Sequence, residues 1–460
     1  MTTEQLPSPP SARSMSWIAT PAAKAGAIIV LLLLMQIPLY MVSSLIAERQ
    51  ARQNDVLAGF RHDWGPAQTV AGPVLAVPYV LSRPDETPVD ALQAPRHWVQ
   101  IPAGQLSISA NLQPELRRRG LFHAVVYAAS LTFSGTFTIP HIGMDGKSPA
   151  DLLWSEAVLV TAATDLRGQP ADSTAELGGQ TVKQKIQTLK GSCGGSVFAP
   201  AQISGEPVPG STIPFRTSLV LLGTQSLNLL PLGRQIELFV SAPWRTPGFT
   251  GSSVPLNYGI DHAGFHADWQ IGGDTASGDW HFESGPSPLC RKSISNGDNV
   301  VGVDLLEPVP TYLMLSRAAK YGTLFLALSF LTYFMFEAAS RVRIHLAQYA
   351  LLGLSVSLFA LLLIALAEPF GFTTGYLLST TAVMAQASLY TLSVVGSARL
   401  AAMFAGMLGS LFGFLYVVLS METFALLVGT LALFVALSVI MVVTRRLDWG
   451  GRGPAGALSP

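Results

Sequence analysis

The chain has 460 residues, with 28 basic and 28 acidic side chains, and only 12% of its residues are charged while 49% are hydrophobic. A formal net charge of zero with no basic stripe excludes the electrostatic footprint of a nucleic-acid-binding protein. A soluble domain would carry roughly 25% charged residues; the deficit here is concentrated before Arg49 and after Lys320, which points to a membrane protein.

Residues 1–20 are polar and rich in Ser and Pro, and they read as a disordered cytoplasmic N-terminus. An apolar run over 25–46 then has the ~20 residues that a helix needs to cross roughly 30 Å of hydrocarbon. A cleaved signal peptide would have an apolar core of only about 7–15 residues ahead of a small-residue cleavage site. Leu45, Ile46 and Ala47 make a poor site, so the run reads as an uncleaved transmembrane anchor helix. Pro38 predicts a kink within it, and residues 48–58 keep a helical pattern that extends it.

From 48 to 316 the texture changes, with Gly, Pro, Ser and Thr every few residues and no run long enough to span. Leu131, Phe133, Phe137 and Ile139 alternate with polar residues, interrupted at Gly135; Leu106, Ile108, Ala110 and Leu112 alternate too, as do Ile236, Leu238 and Val240. Period two puts one face in a core and the other in water. Short strands split by Gly/Pro turns predict a large β-rich, sandwich-like extracytoplasmic domain. The stretch 171–212, poor in large apolar residues, reads as a long loop or insertion. Cys193 and Cys290 both fall in this domain and are candidates for a disulfide in an oxidising compartment, the alternative being two unpaired thiols.

Five apolar segments follow, at about 321–338, 347–367, 371–393, 400–419 and 423–443, and define a five-helix transmembrane bundle over 318–444. With the anchor this makes six transmembrane helices, followed by a cytoplasmic tail at 445–460. Glu337, Glu368 and Glu422 sit at helix ends and read as boundary residues solvated by water or headgroups. Ala405, Gly409 and Gly413 form a small-residue stripe that favours close helix packing. Basic residues in short loops mark the cytoplasmic side: Lys24 before the anchor, Arg341 and Arg343, Arg399, then Arg445 and Arg446 all fall there if both termini are inside and the large domain is periplasmic.

The residues offer no nucleophile elbow, phosphate loop or zinc-protease signature. His262 and His266 are four apart, but their Gly-rich surroundings predict turn and strand, not a metal-binding helix face. The densest polar cluster is Asp304 and Glu307 followed by Arg317, Lys320 and Tyr321. Such a junction either anchors at the membrane surface, with cations snorkelling to headgroups and tyrosines in the aromatic belt, or couples the outer domain to the bundle.

Several stretches together are similar to the CreD family of bacterial inner-membrane proteins. They include Trp64, Gly65, Pro66 and Gln68; Glu115 through Gly120; Asp165, Leu166, Arg167 and Gly168; Val303 through Pro308; Arg317 through Tyr321; Gln348 with Tyr349; and Arg445 through Trp449. Pro310, Leu346 and Gly248 depart from the pattern. The resemblance covers nearly the whole chain. It implies an inner-membrane protein tied to cell-envelope integrity or an envelope stress response. It brings no catalytic residue, cofactor or metal with it, and the expectation is a non-enzymatic protein. Its partners would be the lipid bilayer and a periplasmic protein, lipid or cell-wall component, with no nucleic acid. The alternative is a transporter or lipid-handling protein with a polar path through the bundle, lined by Gln386 and Thr380. An enzyme acting at the membrane surface through Asp304, Glu307 or Lys320 is a third, weaker reading.

Overall fold

The computed structural model describes residues 21–80, 96–140, 152–188, 195–203, 205–272, 281–283, 286–287, 300–305, 311–340, 344–420 and 425–444. The chain divides into two compact units, one of Met1–Arg52 with Val309–Pro460 and the other of Gln53–Pro308.

The first unit is helical. It contains α1 (Pro21–Leu34) and the first part of α2 (Gln36–Trp64), then α3 (Thr311–Ser340), α4 (Leu346–Phe370), α5 (Phe372–Val395), α6 (Ala398–Ser420) and α7 (Ala425–Thr444). Helices α1 and α2 form one long helix interrupted only at Met35, so the described residues hold six long helices. The interruption falls just before Pro38, which has no N–H for the Leu34 carbonyl. Among the described residues four of the six, Lys24–Trp64, α4, α5 and α6, are long and apolar enough to cross a membrane. Helix α7 has 20 residues with no acidic or basic side chain, about 30 Å of helix.

The interior of this unit is aromatic. Phe325 and Phe359 both meet Phe412 edge-on, with ring centroids 4.8 and 4.9 Å apart, and Tyr376 donates to the Phe412 carbonyl at 2.6 Å. Helix α4 begins with a reciprocal cap: Ala347 N donates to His345 Nδ1, and His345 N donates to Gln348 Oε1, both at 3.2 Å. Helices α4 and α5 approach closely at Gly375, where a Cβ would lie 2.6 Å from the backbone nitrogen of Ala367. Of the two glycines in the small-residue stripe, Gly409 is crowded by Met384 at 2.9 Å, while Gly413 faces open space.

The second unit is rich in sheet. Its strands are β1 (Gln68–Val80), β2 (Arg96–Arg119), β3 (Phe122–Thr138), β4 (Val158–Ala163), β5 (Thr174–Leu177), β6 (Gln180–Lys183), β7 (Lys185–Thr188), β8 (Gly195–Pro200), β9 (Thr212–Thr224), β10 (Ser226–Leu230), β11 (Gly233–Ala242), β12 (Pro247–Gly251), β13 (Asn257–Ile260), β14 (Phe265–Gly272), β15 (His281–Glu283) and β16 (Val301–Leu305). The long strand β2 belongs to two sheets. Its residues Arg96–Pro102 pair antiparallel with β1, and Gln105–Arg119 pair antiparallel with β3. Strand β11 runs parallel to β2, and β10 runs parallel to β1. Side chains from both sheets, among them Leu75, Ile108, Phe133, Leu238 and Trp269, share one core.

The alternating stretches are strands in the expected register. Leu131, Phe133, Phe137 and Ile139 are buried. The break at Gly135 has a steric cause, since a Cβ there would lie 2.0 Å from the Gln105 carbonyl oxygen of the neighbouring strand. The stretch 171–212 differs from its reading as a loop: it contains β5, β6, β7 and β8. These strands have four to six residues, too few for alternation to stand out, and they bury only Ala175, Leu177, Val182, Val197 and Ala199 as side chains of the core.

Candidate functional site

The charged residues of the helical unit gather around two glutamates. Glu337 of α3 forms an ion pair with Lys24 of α1, and both side chains are about one-sixth exposed (16% and 17%). The same Glu337 accepts from Tyr349 OH of α4 at 2.9 Å and from Ile344 N at 3.3 Å, while Lys24 Nζ also donates to the Ile344 carbonyl at 2.6 Å. Glu368 of α4 is only 7% exposed. It accepts from Tyr312 OH of α3 at 2.9 Å and lies 3.6 Å from Arg49 of α2. The two clusters exchange roles between helices: in one the acid is on α3 and the tyrosine on α4, in the other the reverse. Each draws its cation from the N-terminal helices. Between them in sequence, Thr323 of α3 donates to Gln36 Oε1 of α2 at 2.7 Å.

These contacts differ from the reading of Glu337 and Glu368 as solvated boundary residues. Each of these carboxylates instead has a cation and a phenol donor from other helices beside it in a poorly hydrated place. Both oxygens of Glu337 are occupied, and the contacts join α1, α3 and α4. Glu422 lies outside the described residues.

The sequence-derived junction cluster is divided. Asp304 lies on β16 in the sheet-rich unit, paired in register with Ser226 and Gly248. Burial raises its carboxyl above the usual range. Arg317, Lys320 and Tyr321 lie on α3 in the helical unit, three and four residues apart and hence on one helix face. Glu307, Cys193 and Cys290 lie outside the described residues. The polar path expected at Gln386 and Thr380 is met at one of the two: a cavity of about 280 Å³ between α4 and α5 is lined by Gln386 but not by Thr380.

In the sheet-rich unit three stretches far apart in sequence meet around the C-terminal end of α2. Trp64 donates from its indole to the Tyr127 carbonyl at 3.1 Å, and the Arg117 guanidinium lies 4.5 Å above its ring. Arg119 packs over Phe60 and pairs with Asp63 at 2.8 Å. Hydrogen bonds from His62 and Arg119 hold the Asp63 carboxyl below its usual range. Gln68 donates to the Leu222 carbonyl and accepts from Asp165 N, and Arg167 donates to the His62 carbonyl. Sequence inspection picked out all of these stretches without giving them a task; their shared task is to fasten helix to sheet.

His262 and His266 lie on a turn and a strand. Asp261 Oδ1 accepts from Ala263 N and Gly264 N to form the turn, and His266 is an exposed residue of β14. No group of three or more potential metal ligands occurs among the described residues. A different feature stands out on this unit. Val254, Leu256, Tyr258 and Ile260 are 79%, 64%, 62% and 48% exposed at alternate positions leading into and along β13. Among the described residues β13 pairs only with β14.

Long apolar helices with outward leucines, such as Leu351, Leu354 and Leu358 of α4, and a sheet-rich unit inserted between the first and second of them define a multi-pass membrane protein. The model of the family described as "Inner membrane protein CreD" matches residues 20–450, and the chain belongs to that family. It is similar to inner membrane protein CreD of Escherichia coli (strain K12), with 28% identity over 429 residues, covering 91% of each chain. Among solved structures it is similar to an M1 zinc metallopeptidase from Deinococcus radiodurans at 13% identity, over 36% of this chain and 38% of that one. The TM-score of 0.21 is too low for that likeness to carry any argument.

Proposed function

We propose that this chain is a non-enzymatic inner-membrane protein that contributes to cell-envelope integrity or the envelope stress response. In this reading the sheet-rich unit is periplasmic and binds a periplasmic protein, lipid or cell-wall component, both termini are cytoplasmic, and the helices are its platform. The observation that carries the binding role is the exposed apolar row Val254, Leu256, Tyr258 and Ile260 at a strand with one described neighbour. A contiguous apolar row of this kind is a recognition feature more often than a neutral surface. The basic residues of the short loops support the orientation, and the paired state of Glu337 and Glu368 supports a structural role for the acids of the bundle.

The test is entry of an otherwise excluded dye into cells. A deletion strain should admit more dye, and the full chain should restore exclusion. A chain carrying Leu256→Asp and Tyr258→Asp should reach the membrane in normal amount and fail to restore it. Unchanged dye entry on deletion would remove the envelope role, and full rescue by the double variant would remove the exposed row from it.

A further inference from the structure

Helix α5 has an unusual polar content for a membrane helix; Thr373 and Tyr376 reach Tyr416 and the Phe412 carbonyl of α6, and four further hydroxyls bond back to their own helix. Ser379, Thr381, Thr391 and Ser393 donate to the carbonyls of Gly375, Leu377, Ala387 and Tyr390. Gln386 is different. It is exposed, and it lies nine residues before the end of α5, roughly 14 Å along the helix. Its Oε1 accepts from Ser355 Oγ of α4 at 3.2 Å, and its amide nitrogen has no partner among the described residues. An amide donor without a partner at that depth in hydrocarbon is strongly unfavourable.

This amide lines the cavity between α4 and α5. The outer wall of the cavity is Leu351, Leu354 and Leu358, which are 49%, 45% and 47% exposed, so it opens onto the lipid-facing surface. Their three- and four-residue spacing forms an apolar strip along α4. Gln348 and Tyr390 line the same cavity closer to the helix ends, and no acidic or basic side chain lines it. An uncharged hydrogen-bond donor beside an apolar strip favours a neutral acceptor over a phosphate or carboxylate.

We propose that this crevice binds an uncharged lipid carbonyl, with the Gln386 amide donating to it and the hydrocarbon tail lying along Leu351, Leu354 and Leu358. Two sources share that chemistry, the acyl ester of a glycerolipid and the ring carbonyl of a membrane quinone. The site is independent of the binding role assigned to the sheet-rich unit.

The full chain in nanodiscs of phosphatidylethanolamine and phosphatidylglycerol would be photolabelled in two arms, one with a diazirine-acyl phosphatidylglycerol and one with an azido-quinone. At least one probe should label the α4 and α5 segments around Leu354 and Gln386 above the level at exposed Val417 on α6, and the labelled arm identifies the source. Gln386→Leu should lower that labelling about three- to fivefold, the loss of one neutral hydrogen bond. Leu354→Trp, which fills the crevice and leaves the amide, should lower it as well. Labelling spread evenly to Val417, or unchanged in both variants, would overturn the site. So would ready formation of disulfide-linked dimers by Gln386→Cys in a chain with Cys193 and Cys290 replaced by serine, because a second copy would then cover the amide.

Discussion

Glu337 and Glu368 have the same kinds of partner, one cation from the N-terminal helices and one tyrosine from the C-terminal helices, yet the two clusters are not equivalent. Glu337 is the more exposed acid and the more completely satisfied: ammonium, phenol and backbone amide all reach it. Glu368 is the more buried, and its guanidinium partner stands at 3.6 Å, beyond good hydrogen-bond range. The contribution of a cluster therefore depends on how many short charge-assisted bonds the acid receives as well as on how deeply it is buried. The first cluster fixes α1 against α3 and α4 with directional bonds. The second relies on one directional bond from Tyr312 and a looser electrostatic contact.

The largest expected effect is at the first cluster. Glu337→Ala leaves the Lys24 ammonium poorly hydrated and should destabilise the helical unit by roughly 3 kcal/mol, read as the amount of sodium dodecyl sulfate needed to lose helical circular dichroism. Glu368→Ala should cost less, about 2 kcal/mol, because Arg49 is one-third exposed and can turn to water. If Glu368→Ala proves the more damaging, burial outweighs bond count and the ranking of the clusters reverses. Gln36→Leu removes the Thr323 hydrogen bond and should cost under about 1 kcal/mol in the same titration.

The smallest effects extend the comparison to acids of the sheet-rich unit. Asp63 is held below its usual range by His62 and Arg119. It favours folding above the ordinary carboxyl range, and that contribution disappears as pH falls through its folded value. Asp304 is raised by burial. Its charged form disfavours folding at neutral pH, and the penalty is relieved as pH falls through its folded value towards the unfolded one. Asp63→Asn should thus lower the melting temperature of the sheet signal at pH 7, and Asp304→Asn should raise it; as pH falls the Asp304 difference should vanish first, on reaching the ordinary carboxyl range, and the Asp63 difference only below its lowered folded value. Equal signs would contradict these assignments.

Much of the architecture was legible because it depends on local pattern. The lengths of the six apolar segments and the alternation at Leu106–Leu112 and Leu131–Ile139 are repeating signals with a single cause each, spanning length and a one-sided core. The stretch holding β5 to β8 reads as a long loop or insertion because strands of four to six residues hold only two or three inward side chains. The polar clusters were not legible. Lys24 and Glu337 are 313 positions apart, and Gln36 and Thr323 are 287 apart. No spacing rule connects them, so an acid at a helix end reads as a boundary residue until its partner is seen. Gln386 was conspicuous in sequence, whereas its pairing with Ser355 and the neighbouring leucine strip required the packing of α4 on α5.

The central claim is that the N-terminal helix is fastened to the C-terminal helices through the Lys24–Glu337 pair. A double-mutant cycle with Lys24→Met, Glu337→Met and the combination measures it most directly, by the free energy of unfolding of the helical unit in mixed micelles. Each single variant should be clearly less stable than the parent, and the double variant should lie well above the sum of the two losses, because neither charge is then left without its partner. Additive losses, or single variants as stable as the parent, would contradict the claim.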